Sequence, residues 1–283
     1  MTGQTGPGRQ RRGKEPEQPA TPADVSGLPS WLAAGPVDSA GWSQGVTPVT
    51  LLEQALVESQ DRGDLAGQAD VLSRLAVARY VAGEAEGAGS AASECDRVAT
   101  LAGDVHSLPW GSLVLSLLAY DRGDIDLALG QAQTALERFR ATGDSTHIWR
   151  GTMTCMLVTT TLGRLKEARE YCLETIECLE EHGEEEMATA LPELAALVLA
   201  LGHTSEAIVV YSSGLTAAQR LGMTYPPIAL ERYRARIATA RSRLAEAEFD
   251  AARAEGESLP LIEALDQVRR CVSTGPSRTS LPA

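Results

Sequence analysis

Asparagine is absent from the 283 residues, and lysine occurs only as Lys14 and Lys166, although Lys and Arg together number 25. Such bias is what a GC-rich coding sequence produces. Without Asn there is no acceptor for N-linked glycosylation. Glycine is then the main residue able to end helices in the left-handed region. Aromatics make up only 4% of the chain. The five cysteines (Cys95, Cys155, Cys172, Cys178, Cys271) form no C-x-x-C pair and no zinc spacing, which fits buried reduced thiols. The most apolar stretch, Leu191 to Leu201, is too short to span a bilayer and contains Pro192 and Glu193. No apolar core follows the Arg-rich residues 9–14, so no signal peptide is expected, and a cytoplasmic protein is.

Positive charge is also short. The formal net charge is -13, and residues 1–45 are balanced, so the deficit lies in the body. An acidic surface repels a phosphate backbone, and direct nucleic-acid binding is not expected. Catalytic patterns are missing too: no Gly-x-Ser-x-Gly, Ser-x-x-Lys or His-Glu-x-x-His occurs. Gly8 to Lys14 approaches a P-loop, but Glu15 stands where Ser or Thr should hold magnesium. The expectation is no enzyme, no cofactor and no metal.

What is present is a repeat. Gly63-Asp64, Gly103-Asp104, Gly143-Asp144 and Gly183-Glu184 step by forty residues, and Gly222 follows after thirty-nine. A second series, Gly83, Gly123, Gly163 and Gly202, lies midway. Five residues after each of these stands an alanine: Ala88, Ala128, Ala168 and Ala207. Between glycines, apolar residues recur at three- and four-residue steps, as in amphipathic helices. Each repeat therefore reads as an antiparallel helix pair, A and B, with Gly stopping one helix and Asp capping the next. The alanine marks the place where B crosses A too closely for a larger side chain. One pair cannot bury its own apolar face, so the pairs must stack.

The expected fold is all-α, a right-handed superhelix (solenoid) of tandem antiparallel helix pairs. Residues 1–45 are expected to be a disordered, Pro-rich tail in which only Trp31, Leu32 and Trp42 could dock. A lead helix from 46 precedes repeats at 63–102, 103–142, 143–182 and 183–221. Capping helices fill 223–272, and 273–283 is a second tail.

The Gly, then Ala five later, in a two-helix unit resembles the tetratricopeptide repeat. The forty-residue length is similar to the MalT-type arrays at the C-terminal end of large ATP-dependent, LuxR-type transcription regulators. In the tail, Leu244, Glu246, Phe249, Gly256, Leu259 and the run Leu261 to Val268 match how those arrays end, with Ala245 replacing the usual glycine. The resemblance covers about residues 46–272 and implies a regulatory protein-binding array without its ATPase and DNA-reading modules.

On that pattern, positions 2, 5, 9 and 12 of each helix A line a concave groove. They are Asp70, Ser73, Val77 and Tyr80; Trp110, Leu113, Leu117 and Tyr120; Arg150, Met153, Leu157 and Thr160; and Thr189, Pro192, Ala196 and Leu199. The expected partner is a protein or peptide segment in this groove, with Arg150 meeting a carboxylate. Packing between neighbouring helices is the alternative role for these side chains. The alternative functions are a small-molecule or peptide-pheromone sensor and an accessory chaperone of a partner enzyme. The acidic run Glu180 to Glu186 and the four histidines (His106, His147, His182, His203) read as turn and capping residues. Arg232, Arg236 and Arg243 share one helix side while Arg234 and Arg241 lie opposite, so they read as solvated or paired with acidic neighbours.

Overall fold

The computed structural model describes residues 48–143, 147–223 and 225–274. The expected tail with Trp31, Leu32 and Trp42, the P-loop-like stretch, Asp144 and residues 275–283 lie outside these. Among the described residues the chain is all-α, with twelve helices and no strand. They are α1 (Pro48–Asp61), α2 (Leu65–Val81), α3 (Ala85–Ala102), α4 (Leu108–Asp121), α5 (Ile125–Ala141) and α6 (Ile148–Thr161). There follow α7 (Leu165–Leu179), α8 (Glu184–Ala200), α9 (Thr204–Arg220), α10 (Pro227–Arg241), α11 (Glu246–Ser258) and α12 (Leu261–Ser273).

Helices adjacent in sequence pack as pairs: α2 with α3, α4 with α5, α6 with α7, α8 with α9. The first member of each pair also touches the first member of the next, so α2, α4, α6 and α8 form one layer. The turns follow from glycine. Gly63, Gly83, Gly103, Gly123, Gly143, Gly163, Gly202 and Gly222 all have φ between 64° and 89°, a region where a Cβ is strained. Gly183 departs from its series. It lies at φ -82° and is the N-cap of α8, because α7 already ends at Leu179 and closes through His182 N–H donating to Leu179 O at 3.0 Å.

The aspartates after the glycines cap unequally. Asp64 accepts from Gly67 N–H and Asp124 from Leu127 N–H. Asp104 instead accepts from His106 N–H and Ser107 Oγ, which organises the longer loop before α4. Ala88, Ala128, Ala168 and Ala207 are fully buried. Close approach recurs elsewhere. A Cβ on Gly111 would lie 2.9 Å from Ala92 O, and one on Gly151 would lie 3.0 Å from Leu136 Cα.

The C-terminal region does not simply continue the stack. α11 packs on α9, and α12 lies against α7, α8 and α9. Gly256 makes the α11–α9 contact possible, since a Cβ there would fall 2.2 Å from Val209 O. α10 lies in sequence between two helices that pack on each other, and its Arg232, Tyr233 and Arg236 reach residues far back in the chain.

Candidate functional site

The α2–α4–α6–α8 layer carries the residues expected to form a groove, and it is handled differently at its two ends. On one side α10 crosses it. A Cβ on Gly83 would be 3.4 Å from Pro227, so α10 starts close to the end of α2. Arg232 forms ion pairs with Asp121 and, at 3.2 Å, with Glu193; Arg236 pairs with Glu193 at 3.0 Å. Tyr233 Oη donates to Glu193 at 2.9 Å, Tyr80 Oη donates to Asp121 at 2.9 Å, and Arg236 donates to Tyr120 Oη at 3.0 Å.

Glu193 is 5% exposed. Burial alone would raise its pKa, but the Arg236 and Arg232 guanidiniums outweigh burial and hold it below the ordinary 4.5. Asp121, flanked by one arginine, goes the other way: burial raises it above 3.8 despite Arg232 and the Tyr80 hydroxyl.

Pro192 adds a second fixing point. A proline inside a helix leaves the carbonyl four residues back without its donor. That carbonyl belongs to Ala188, and Tyr225 Oη donates to it at 2.7 Å. The segment leading into α10 is thus tied to α8 by a bond that the helix itself cannot make.

On the other side no described helix crosses the layer. A cleft of about 540 Å³ lies between α2, the start of α4, the end of α5 and the start of α6. Gly103 turns the chain and Asp104 fixes the loop, so Pro109 and then Trp110 enter at the first turn of α4. Trp110 walls the cleft with Phe139 and His147, in edge contact at centroid distances of 5.4 and 5.0 Å. Asp70, Ser73 and Val77 supply the opposite wall from α2. Several polar groups here are already engaged. Ser73 Oγ donates to Asp70 O, Ser107 Oγ to Asp104, and Thr142 Oγ1 to Phe139 O. Asp70 pairs with Arg74 one turn on.

The sequence-derived groove residues therefore divide. Asp70, Ser73, Val77 and Trp110 line the cleft. Tyr80 and Tyr120 bond to Asp121 and Arg236 on the α10 side. Leu113 and Leu117 pack with Phe139 and Trp110 in a small apolar cluster, while Leu157 and Met153 belong to the main core. Thr160 donates to Met156 O, and Thr189 to Glu185 O. Pro192, Ala196 and Leu199 are buried in α8. Arg150 stacks over Trp149 at 4.3 Å and over Trp110 at 5.5 Å.

Sequence reasoning missed Asp121, Glu193, Phe139 and His147 as partners. Glu193 gave a signal, a carboxylate inside an apolar run, and Arg232 and Arg236 shared a helix side. Asp121 stands where the other repeats carry Val81, Thr161 and Ala200, but nothing local says that an arginine 111 residues on will meet it. His147 packs its ring against Trp110 and Phe139, beyond the turn role read from its position. In the acidic run, Glu180 and Glu184 pair with Arg269 and Arg220.

Among the described residues no group of three or more His, Cys, Asp or Glu is arranged to hold a metal, and no helix is long and apolar enough to cross a membrane. No family model matches the chain, and the search of curated proteins found no match. Among solved structures it is similar to that of BtubC (BKLC) from P. vanneervenii, with a TM-score of 0.50 and 16% identity over 83% of this chain and 96% of that one. At that identity the likeness speaks for the fold alone, an all-helical, repeat-like arrangement.

Proposed function

We propose that this chain is a non-enzymatic recognition scaffold: a tetratricopeptide-like right-handed superhelix whose Trp110 cleft receives an apolar side chain of a protein partner. The observation carrying this reading is the contrast within one layer. α10 takes the Tyr80–Tyr120 side, while no described helix covers the cleft that Trp110 borders, with Phe139 buried against its ring. Buried aromatics in a concave site are the usual anchors of an interface. The resemblance to MalT-type arrays supports a regulatory setting, and five free cysteines suit the cytoplasm.

The test is affinity capture from the native host with the full chain, comparing wild type, Trp110→Ala and Leu127→Ser, which alters an exposed apolar residue outside the cleft. A stoichiometric partner held by wild type and Leu127→Ser but lost by Trp110→Ala is the expected result. Retention by Trp110→Ala would falsify the cleft as its seat. A second reading, a sensor of a small molecule, draws on the cleft volume of about 540 Å³, within the range of small-ligand pockets.

A further inference from the structure

α1 is a helix of the B kind. It ends at left-handed Gly63, the first member of the series in which Gly103, Gly143 and Gly222 end α3, α5 and α9. It packs on α2 as α3 packs on α4 and α5 on α6. Each later B helix also packs on a helix A of its own repeat; among the described residues α1 has none. Burial along α1 falls short accordingly. Leu51 is 56% exposed, and Leu52 and Ala55 are only half-buried. Forty residues on, Ala91 is 3% exposed and Ala92 and Cys95 are fully buried, as are Ala132 and Ala135, then Cys172 and Thr175. These equivalents face their own helix A: Cys95 Sγ donates to Ala69 O at 3.6 Å, and Thr175 Oγ1 to Thr152 Oγ1 at 2.8 Å.

The uncovered face is short. Glu58 is exposed where Val98 is buried, and Pro48 replaces the alanine of the tight crossings at Ala88, Ala128 and Ala168. A full helix A would meet a charge at one end and find no close crossing at the other, whereas a single apolar turn fits.

The sequence supplies such a turn in register. Counting back forty from α2 gives residues 25–41, where Gly27, Pro29, Gly35 and Pro36 forbid a long helix. Between them, Ser30 to Ala34 carries a capping residue and two large apolar side chains, with a stop at Gly35. In the first repeat Ala69 meets Cys95 and Arg79 reaches Gly87, which brings buried Leu72 level with buried Ala92. Shifted by forty, Leu32 comes level with Leu52. Extended, Gly35 to Thr47 spans about 40 Å, well beyond the roughly 21 Å length of α1. We infer that Ser30 to Ala34 of this same chain docks on the Leu51–Leu52–Ala55 face of α1, with Leu32 against Leu52 and Trp31 beside Leu51, and closes this end of the stack in place of a helix A.

Hydrogen exchange on the full-length protein compares wild type, Trp31→Ser/Leu32→Ser and Trp42→Ser. Amides of residues 48–61 should exchange on the order of tenfold faster in the double variant, and at the wild-type rate in Trp42→Ser. In a second measurement Trp31→p-benzoylphenylalanine is irradiated in an equal mixture of isotopically heavy and light protein. A crosslink to residues 48–61 within one copy is expected. Wild-type exchange of α1 in the double variant overturns the inference. So does a crosslink into the Trp110 cleft, no crosslink at all, or one between heavy and light copies, which gives the face to a second molecule. Should exchange rise throughout the array, the crosslink decides. The capture experiment on Trp110→Ala concerns a separate surface, and its result leaves this one unaffected.

Discussion

The α10 side of the layer and the Trp110 cleft are built from the same helices, yet one is closed by charge pairs and the other is crossed by no described helix. On the α10 side two arginines one turn apart meet two carboxylates from different repeats. Glu193 is buried, Asp121 and the two arginines are half-buried, and each of the four makes at least one ion pair. At the cleft, aromatic rings meet one another edge-on, and behind Trp110 the guanidinium of Arg150 rests on indole faces. A surface whose polar groups are already paired has little to offer a ligand, which is why the recognition role proposed above is assigned to the Trp110 cleft.

The largest effect is expected from breaking the filled side. Glu193→Ala removes the only ion-pair partner described for Arg236 and leaves Arg232 with Asp121 alone, and loss of one partner of such a cluster costs about 3–5 kcal/mol. Urea denaturation should show it, and near-ultraviolet circular dichroism should report loosening around Tyr233. The same group sets a pH dependence. Because Glu193 has a lowered pKa in the folded chain, its contribution is full above the ordinary 4.5 and fades as pH falls through the folded value. Asp121 is raised, so protonation of that residue favours the fold and opposes the loss. Glu193→Gln should therefore flatten the acid limb of a melting profile relative to wild type; an identical limb in both would show that Glu193 does not set it.

Next in size comes the helix crossing common to both regions. Ala128 is fully buried, and Ser116 Oγ donates to its carbonyl at 2.7 Å. Ala128→Leu should overpack that crossing and cost about 1–3 kcal/mol; an unchanged melting temperature would refute the steric role. At the open side Trp110→Ala should cost less, about 1–2 kcal/mol, because the ring is only half-buried. Its partner binding should nonetheless vanish. That dissociation of stability from binding is the sharpest test of the contrast.

The smallest effect concerns the thiols. Burial pushes the Cys95 and Cys155 thiols up to about 12, and Cys271 to about 11. At pH 8 an alkylating reagent should label the half-buried Cys178 first and reach the others only as the chain unfolds. Rapid native labelling of Cys95 would show that the α2–α3–α4 packing opens.

Much of the fold was legible because glycine and alanine act locally. A left-handed turn and a tight crossing each demand one residue type wherever they occur, so Gly83 and Ala88, Gly123 and Ala128 stand out without knowledge of their neighbours. Gly183 shows the limit: an earlier end to α7 removed the need for a left-handed residue. The groove was legible only in part. Position counting found Asp70, Ser73, Val77 and Trp110, which line the cleft, but it could not foresee that α10 would bond with Tyr120 and Asp121.

The chain alone, through the spacing of small residues and the period of its apolar ones, determined the number and pairing of the helices between residues 63 and 222, since those depend on contacts within a few dozen residues. Which part of the α2–α4–α6–α8 layer is covered by α10 was decided only in three dimensions. Ion pairs between residues 39 and 111 apart carry no local pattern, and they form only once burial has removed the water that would otherwise solvate each charge separately.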